Sequence, residues 1–113
     1  MYKFVMIYRR VDDEDAVDEF FSSTHLPLAE SLPYLLKSEV SRVLSKPGGE
    51  SRFLLMYELY FASIDTFREA FLTEQGIQLM QALKPWGDAK IITWFYADAF
   101  EEDGAGSKGN GEG

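Results

Sequence analysis

The chain has 113 residues, 46% hydrophobic and 15% aromatic, a composition that supports one folded domain with a real core and argues against disorder. Its formal charge of −8, from 19 acidic against 11 basic side chains, argues against binding a nucleic-acid backbone or an anionic membrane. No cysteine is present, which removes disulfides, thiolate chemistry and cysteine zinc sites and fits a cytoplasmic protein.

The first residues, MYKFVMIYRR, lack the basic region, apolar run and cleavage site of a signal peptide. Tyr2 to Arg9 reads as a first strand, with Tyr2, Phe4, Met6 and Tyr8 on one face and Lys3, Val5 and Ile7 on the other. Asp12 to Asp15 opens a helix, with acid where the free amides and the dipole favour it. Ala16, Val17, Phe20, Phe21 and Thr24 fall at helical spacing and form its expected buried stripe. The acid cluster reads as a capped, solvated helix start, with a cation site as the alternative.

Pro27 disfavours helical angles at Leu26, so Thr24-His25-Leu26-Pro27 is expected to interrupt this helix, and Pro33 to close a short turn over Leu28 to Leu32. Leu35 to Leu44 reads as an edge strand whose Lys37, Glu39 and Arg42 reach water. Lys46 to Glu50 is a turn into Phe53–Phe61, FLLMYELYF. Alternation sets Phe53, Leu55, Tyr57, Leu59 and Phe61 against Leu54, Met56, Glu58 and Tyr60. Both sets are apolar apart from Glu58, the mark of a central strand.

Ser63 can cap a second helix with a stripe of Ile64, Phe67, Ala70 and Phe71. Gly76 is expected to divide it from a shorter turn facing Ile77, Met80 and Leu83 inward, stopped by Lys84-Pro85-Trp86-Gly87. Lys90 to Ala99 reads as the last strand. Residues 101–113, EEDGAGSKGNGEG, are too poor in apolar side chains to order themselves, which leaves residues 1–100 as the domain and a disordered acidic, Gly-rich tail.

Strand, helix, strand, strand, helix, strand is the order of an α+β, ferredoxin-like βαββαβ fold with a four-stranded antiparallel sheet. That topology orders the strands 4-1-3-2 and covers one face with helices. The more aliphatic set, Val5, Ile7, Leu55, Leu59, Ile91 and Phe95, is expected beneath the helices. Tyr2, Phe4, Met6, Tyr8, Leu54, Met56, Tyr60, Ile92, Trp94 and Tyr96 are then expected on the other face. They would leave roughly 700 Å² of apolar surface there, more than monomers expose. A second copy packed face to face is the simplest cover, so a homodimer is expected.

Several segments also resemble the EthD family, named for ethyl tert-butyl ether degradation. They are Tyr8-Arg9-Arg10, His25-Leu26-Pro27-Leu28, Glu39 to Val43, Pro47-Gly48-Gly49, Met56 to Phe61 and Tyr96-Ala97-Asp98. The match runs over about residues 2 to 99. The resemblance implies a dimeric α+β barrel, whose relatives include muconolactone isomerase, cofactor-free monooxygenases and polyketide-tailoring dehydratases and cyclases.

His25 is the single histidine and has an unperturbed pKa near neutrality. It either faces the sheet as acid or base on a ligand, or caps the last carbonyls of its helix. Glu58, in an apolar cavity, either serves as acid or base or pairs with Arg9, Arg10 or Arg42. Tyr8, Arg9, Met56, Tyr60, Trp94, Tyr96 and Asp98 either line one cavity or form dimer core. One histidine and no cysteine do not make a usual zinc site. Haem ligation by His25 alone rests only on the barrel relatives, and no cofactor is expected.

Three functions remain in play. One is a cofactor-free enzyme acting by proton transfer on a hydrophobic, aromatic or polyketide-like molecule held between the sheets. A second is a binding or auxiliary protein of an oxidative degradation pathway, and a third is a dimer with a filled interior.

Overall fold

A computed structural model describes residues 1–101, so the tail expected beyond the domain lies, past its first residue, outside the described residues. The strands are β1 (Tyr2–Arg9), β2 (Lys37–Arg42), β3 (Phe53–Phe61) and β4 (Ile92–Asp98). They form one antiparallel sheet in the order β2-β3-β1-β4, the ferredoxin-like order, with the two most apolar strands in the middle. The helices are α1 (Glu14–Phe20), α2 (Leu26–Glu30), α3 (Ile64–Phe71) and α4 (Glu74–Asp88). None of them is long and apolar enough to cross a membrane.

The register fixes which face the helices cover. Phe4 pairs with Leu59 and Tyr96, and Met6 with Tyr57 and Trp94. Phe4 packs on Phe67 and Phe71 of α3, and Tyr8 on Phe21. The covered face is therefore Tyr2, Phe4, Met6, Tyr8, Leu55, Tyr57, Leu59, Ile92, Trp94 and Tyr96. This reverses the expectation for β1 and β4. Both faces of those strands are apolar, and pattern alone gives no sign of which one turns to the helices.

A β-bulge adds a second correction. Tyr8 pairs with Leu55 but Arg9 with Phe53, so Leu54 has no partner on β1. Leu54 and Leu55 both enter the core, each 2% exposed, and Phe53 lies beside Ile7 and Thr93 instead. The open face then carries Val5, Ile7, Phe53, Met56 and Phe95, fewer aromatics than expected. Around Glu58 it is polar.

Asp13 caps α1 through its carboxylate, which accepts from the Ala16 amide at 3.0 Å. The helix does not break at His25. Phe21–His25 form a π-helical segment, His25 and Leu26 keep right-handed helical angles, and the Leu26 amide bonds to the Phe21 carbonyl five residues back. The widened turn and the placement of Pro27 in the first turn of α2 remove the need for its missing N–H.

Ser63 caps α3 in a capping box with Thr66, while Thr73, not Gly76, starts α4. Gly76 lies in the first turn of α4, where a Cβ would come within 2.6 Å of the Ala70 carbonyl oxygen. Gly76, Leu79 and Leu83 are the buried residues of α4, and Ile77 is 49% exposed. α4 also runs on through Pro85 to Asp88 rather than stopping at residue 84.

Candidate functional site

The helix-covered side buries a polar group that a pure core would not contain. β1 presents Met6 and Tyr8 from its middle, and the π-segment presents His25 over them. All three are 0% exposed. The Tyr8 hydroxyl lies 2.5 Å from His25 Nδ1, and His25 Nε2 lies 3.1 Å from Met6 Sδ. A thioether sulfur can only accept. The Tyr8 hydroxyl therefore donates to Nδ1, and Nε2 carries the ring proton toward the sulfur.

Aromatic rings close the cage. Phe20, Phe21 and Tyr57 stand 6.1, 5.4 and 5.1 Å from the imidazole, measured between ring centroids. Desolvation in this cage lowers the His25 pKa to about 3 and raises that of Tyr8 above the usual phenol range. The pair is neutral at physiological pH, with a base and a phenolic proton already in contact. Nearby, the Tyr57 hydroxyl is buried without a hydrogen-bond partner. Burial likewise raises its pKa. His25 thus faces the sheet and does not cap a helix end.

Glu58 lies on the opposite face of the sheet from His25. Its carboxylate, in a residue 8% exposed, accepts from Lys3 Nζ at 2.7 Å rather than from Arg9, Arg10 or Arg42. That bond is the largest cause raising the Lys3 pKa. Tyr60 donates to Glu39 at 3.0 Å and receives the Lys37 ammonium over its ring at 4.5 Å. Lys3, not among the partners expected for Glu58, is placed on the Glu58 face by the β1–β3 register.

The remaining candidates do not meet in one cavity. Met56 joins Glu58 and Tyr60 on the open face. Trp94 and Tyr96 are on the covered face, where Tyr96 stands 5.3 Å from Phe67. Asp98 sits at the sheet end near the N-terminal amine, 3.9 Å away. Arg9 and Trp94 share a cleft of about 720 Å³ between α4 and β4 that does not reach His25. Among the described residues, no group of three or more acids and histidine is placed to hold a metal ion.

No family model matches the chain. It is 29% identical over 76 residues to an uncharacterized 11.0 kDa protein in the thcB-thcC intergenic region of Rhodococcus erythropolis, covering 67% of this chain and 74% of that one. An ethyl tert-butyl ether d (EthD) family protein from Bacillus halodurans superposes with a TM-score of 0.82 at 29% identity, over 88% of this chain and 99% of its own. A hydroxynitrile lyase from Passiflora edulis shares the fold at a TM-score of 0.67 and 15% identity, over 90% and 95% of the two chains. A dimeric protein of unknown function with a ferredoxin-like fold from Bacteroides fragilis does so at 0.56 and 14%, over 87% and 95%. The chain is thus a ferredoxin-like α+β protein that is similar in structure and sequence to an EthD family protein across nearly its whole described length.

Proposed function

We propose that this chain is a cytoplasmic, homodimeric EthD-like α+β barrel protein that binds a hydrophobic, preferably aromatic, small molecule and transfers a proton to or from it through Tyr8 and His25. The observation that carries this reading is the buried Tyr8–His25 hydrogen bond. It places the single histidine on a π-helical segment, a rare element that recurs at functional sites. A ligand brought to this pair gives a proton to the Tyr8 oxygen as the Tyr8 proton passes to His25 Nδ1, and the reverse relay returns one to the ligand. Glu58, on the far face and paired with Lys3, serves in this reading to order the dimer interface rather than to act on the ligand.

The dimer is supported by the open face. Ile7, Phe53, Met56 and Phe95 form a partly exposed apolar band that no element among the described residues covers, and Phe95 is 46% exposed. A second copy of the same sheet would bury it. The Bacteroides fragilis protein of the same fold is dimeric.

One observation favours a second reading, that of a non-catalytic binding or auxiliary protein. His25 and Tyr8 are fully enclosed, so a ligand reaches them only if α1 and the π-segment move from the sheet. Solvent deuterium incorporation separates the two. A panel of enolisable aromatic ketones is incubated with the protein in D2O and followed by NMR. The proton-transfer reading expects exchange above background that falls roughly 100-fold in His25→Gln. Exchange that is absent, or unchanged in that variant, favours the auxiliary protein.

A further inference from the structure

The −8 chain leaves one end of its sheet basic. Lys3, Arg10, Arg42 and Lys84 each have a carboxylate within salt-bridge distance. Arg9, Lys37, Lys46, Arg52, Arg68 and Lys90 have none among the described residues, and of these Arg9, Arg52 and Lys90 stand at the same end of the sheet. Arg9 and Lys90 line the cleft between α4 and β4. Arg9 also borders a smaller one beside Arg52, Phe53 and Thr93. Arg9 is held only by a long 3.5 Å contact from Nη1 to the Lys90 carbonyl, so its guanidinium is free to turn toward a ligand.

The cleft itself has two chemical halves. Trp94, Ile92 and Met80 make an apolar wall. Trp94 is held there by Gly87, where a Cβ would come within 2.7 Å of the indole. The other wall offers Arg9, Lys90 and the Thr93 hydroxyl, while Lys84 and Asp88 neutralise one another at 2.9 Å. The volume, about 720 Å³, is that of a small-ligand pocket.

We infer that this cleft is a binding site for a planar organic anion, an aromatic or conjugated carboxylate, whose ring lies on Trp94 and whose carboxylate is taken by Arg9 and Lys90. An inorganic anion would use only half of the site, and a neutral aromatic only the other half. The inference stands apart from the Tyr8–His25 pair, which the cleft does not reach, and holds whether or not that pair does chemistry.

The probe is 2-naphthoate, with 2-naphthamide as its neutral counterpart. Trp86 is one of the two tryptophans, so Trp86→Phe leaves Trp94 as the reporter. Calorimetry on the unaltered chain gives an independent affinity should that variant fold poorly. The expected result is saturable quenching of Trp94 by 2-naphthoate, with the amide at least about tenfold weaker. Arg9→Gln and Lys90→Gln should each weaken the carboxylate about fivefold without changing the amide, and added salt should weaken it further. Equal affinity for acid and amide, full competition by inorganic phosphate, unaltered binding in both variants, or no saturation by millimolar probe would each overturn the inference.

Discussion

Lowering the pH should destabilise this protein through His25 in particular, by an amount the structure sets. Folded, the imidazole stays neutral down to about pH 3 because burial penalises its charged form; unfolded, it takes a proton near its ordinary 6.5. Between those values the unfolded chain holds one more proton than the native one, so native stability rises with pH. The contribution is complete above about pH 6.5 and is lost as the pH falls toward 3, at about 1.4 kcal/mol per pH unit. By pH 5 the loss is about 2 kcal/mol, a large part of the 5–15 kcal/mol typical of a domain. His25→Gln removes the titration while keeping an acceptor for the Tyr8 hydroxyl. Urea unfolding followed by circular dichroism, at one fixed protein concentration, should show the wild-type advantage over the variant shrinking by about 2 kcal/mol between pH 7 and pH 5. Because His25 is the single histidine, its imidazole NMR signals are unambiguous and should not move over that range. An imidazole that titrates between pH 6 and 7, or two stability profiles that run parallel, would refute the reasoning.

Other consequences are as direct. Gly76→Ala forces a Cβ against the backbone of Phe71 and Ala70 at 2.5–2.6 Å and should cost about 3 kcal/mol in urea unfolding, despite the better helix propensity of alanine. Tyr57→Phe removes a buried hydroxyl that has no partner, so it should leave the midpoint unchanged or raise stability by up to about 1 kcal/mol. Lys3→Met removes the cation 2.7 Å from the part-buried Glu58 carboxylate and should destabilise by about 1 kcal/mol, most of which Lys3→Arg restores.

The architecture could be read from the sequence because β1 and β3 announce themselves as apolar runs of strand length with turns on both sides. Their bounds, Tyr2–Arg9 and Phe53–Phe61, are those of the structure. What could not be read was orientation. Phe4 and Val5 are 1% and 2% exposed on opposite faces, so hydrophobicity carries no sign of which side meets the helices. The bulge that turns Leu54 inward depends on the pairing of two distant strands. The signal at Pro27 was real but its outcome was not a break, since a π-turn absorbs a missing donor that an ordinary turn cannot. At the site, composition singled out His25 as the only histidine. Tyr8, Met6 and Tyr57 come to it only through tertiary packing, and Lys90 and Arg52 join Arg9 only through the way the sheet ends.

The sheet has two unlike faces, one closed over Tyr8 and His25 and one open, and a barrel needs a second copy on the open one. Sedimentation equilibrium at micromolar concentration tests this most directly. The chain should have twice its 12.9 kDa mass, and Ile7→Glu, which places a charge in the middle of the open face, should reduce it to a folded monomer. A wild-type chain of 12.9 kDa, or an Ile7→Glu variant still of double mass, would contradict the account.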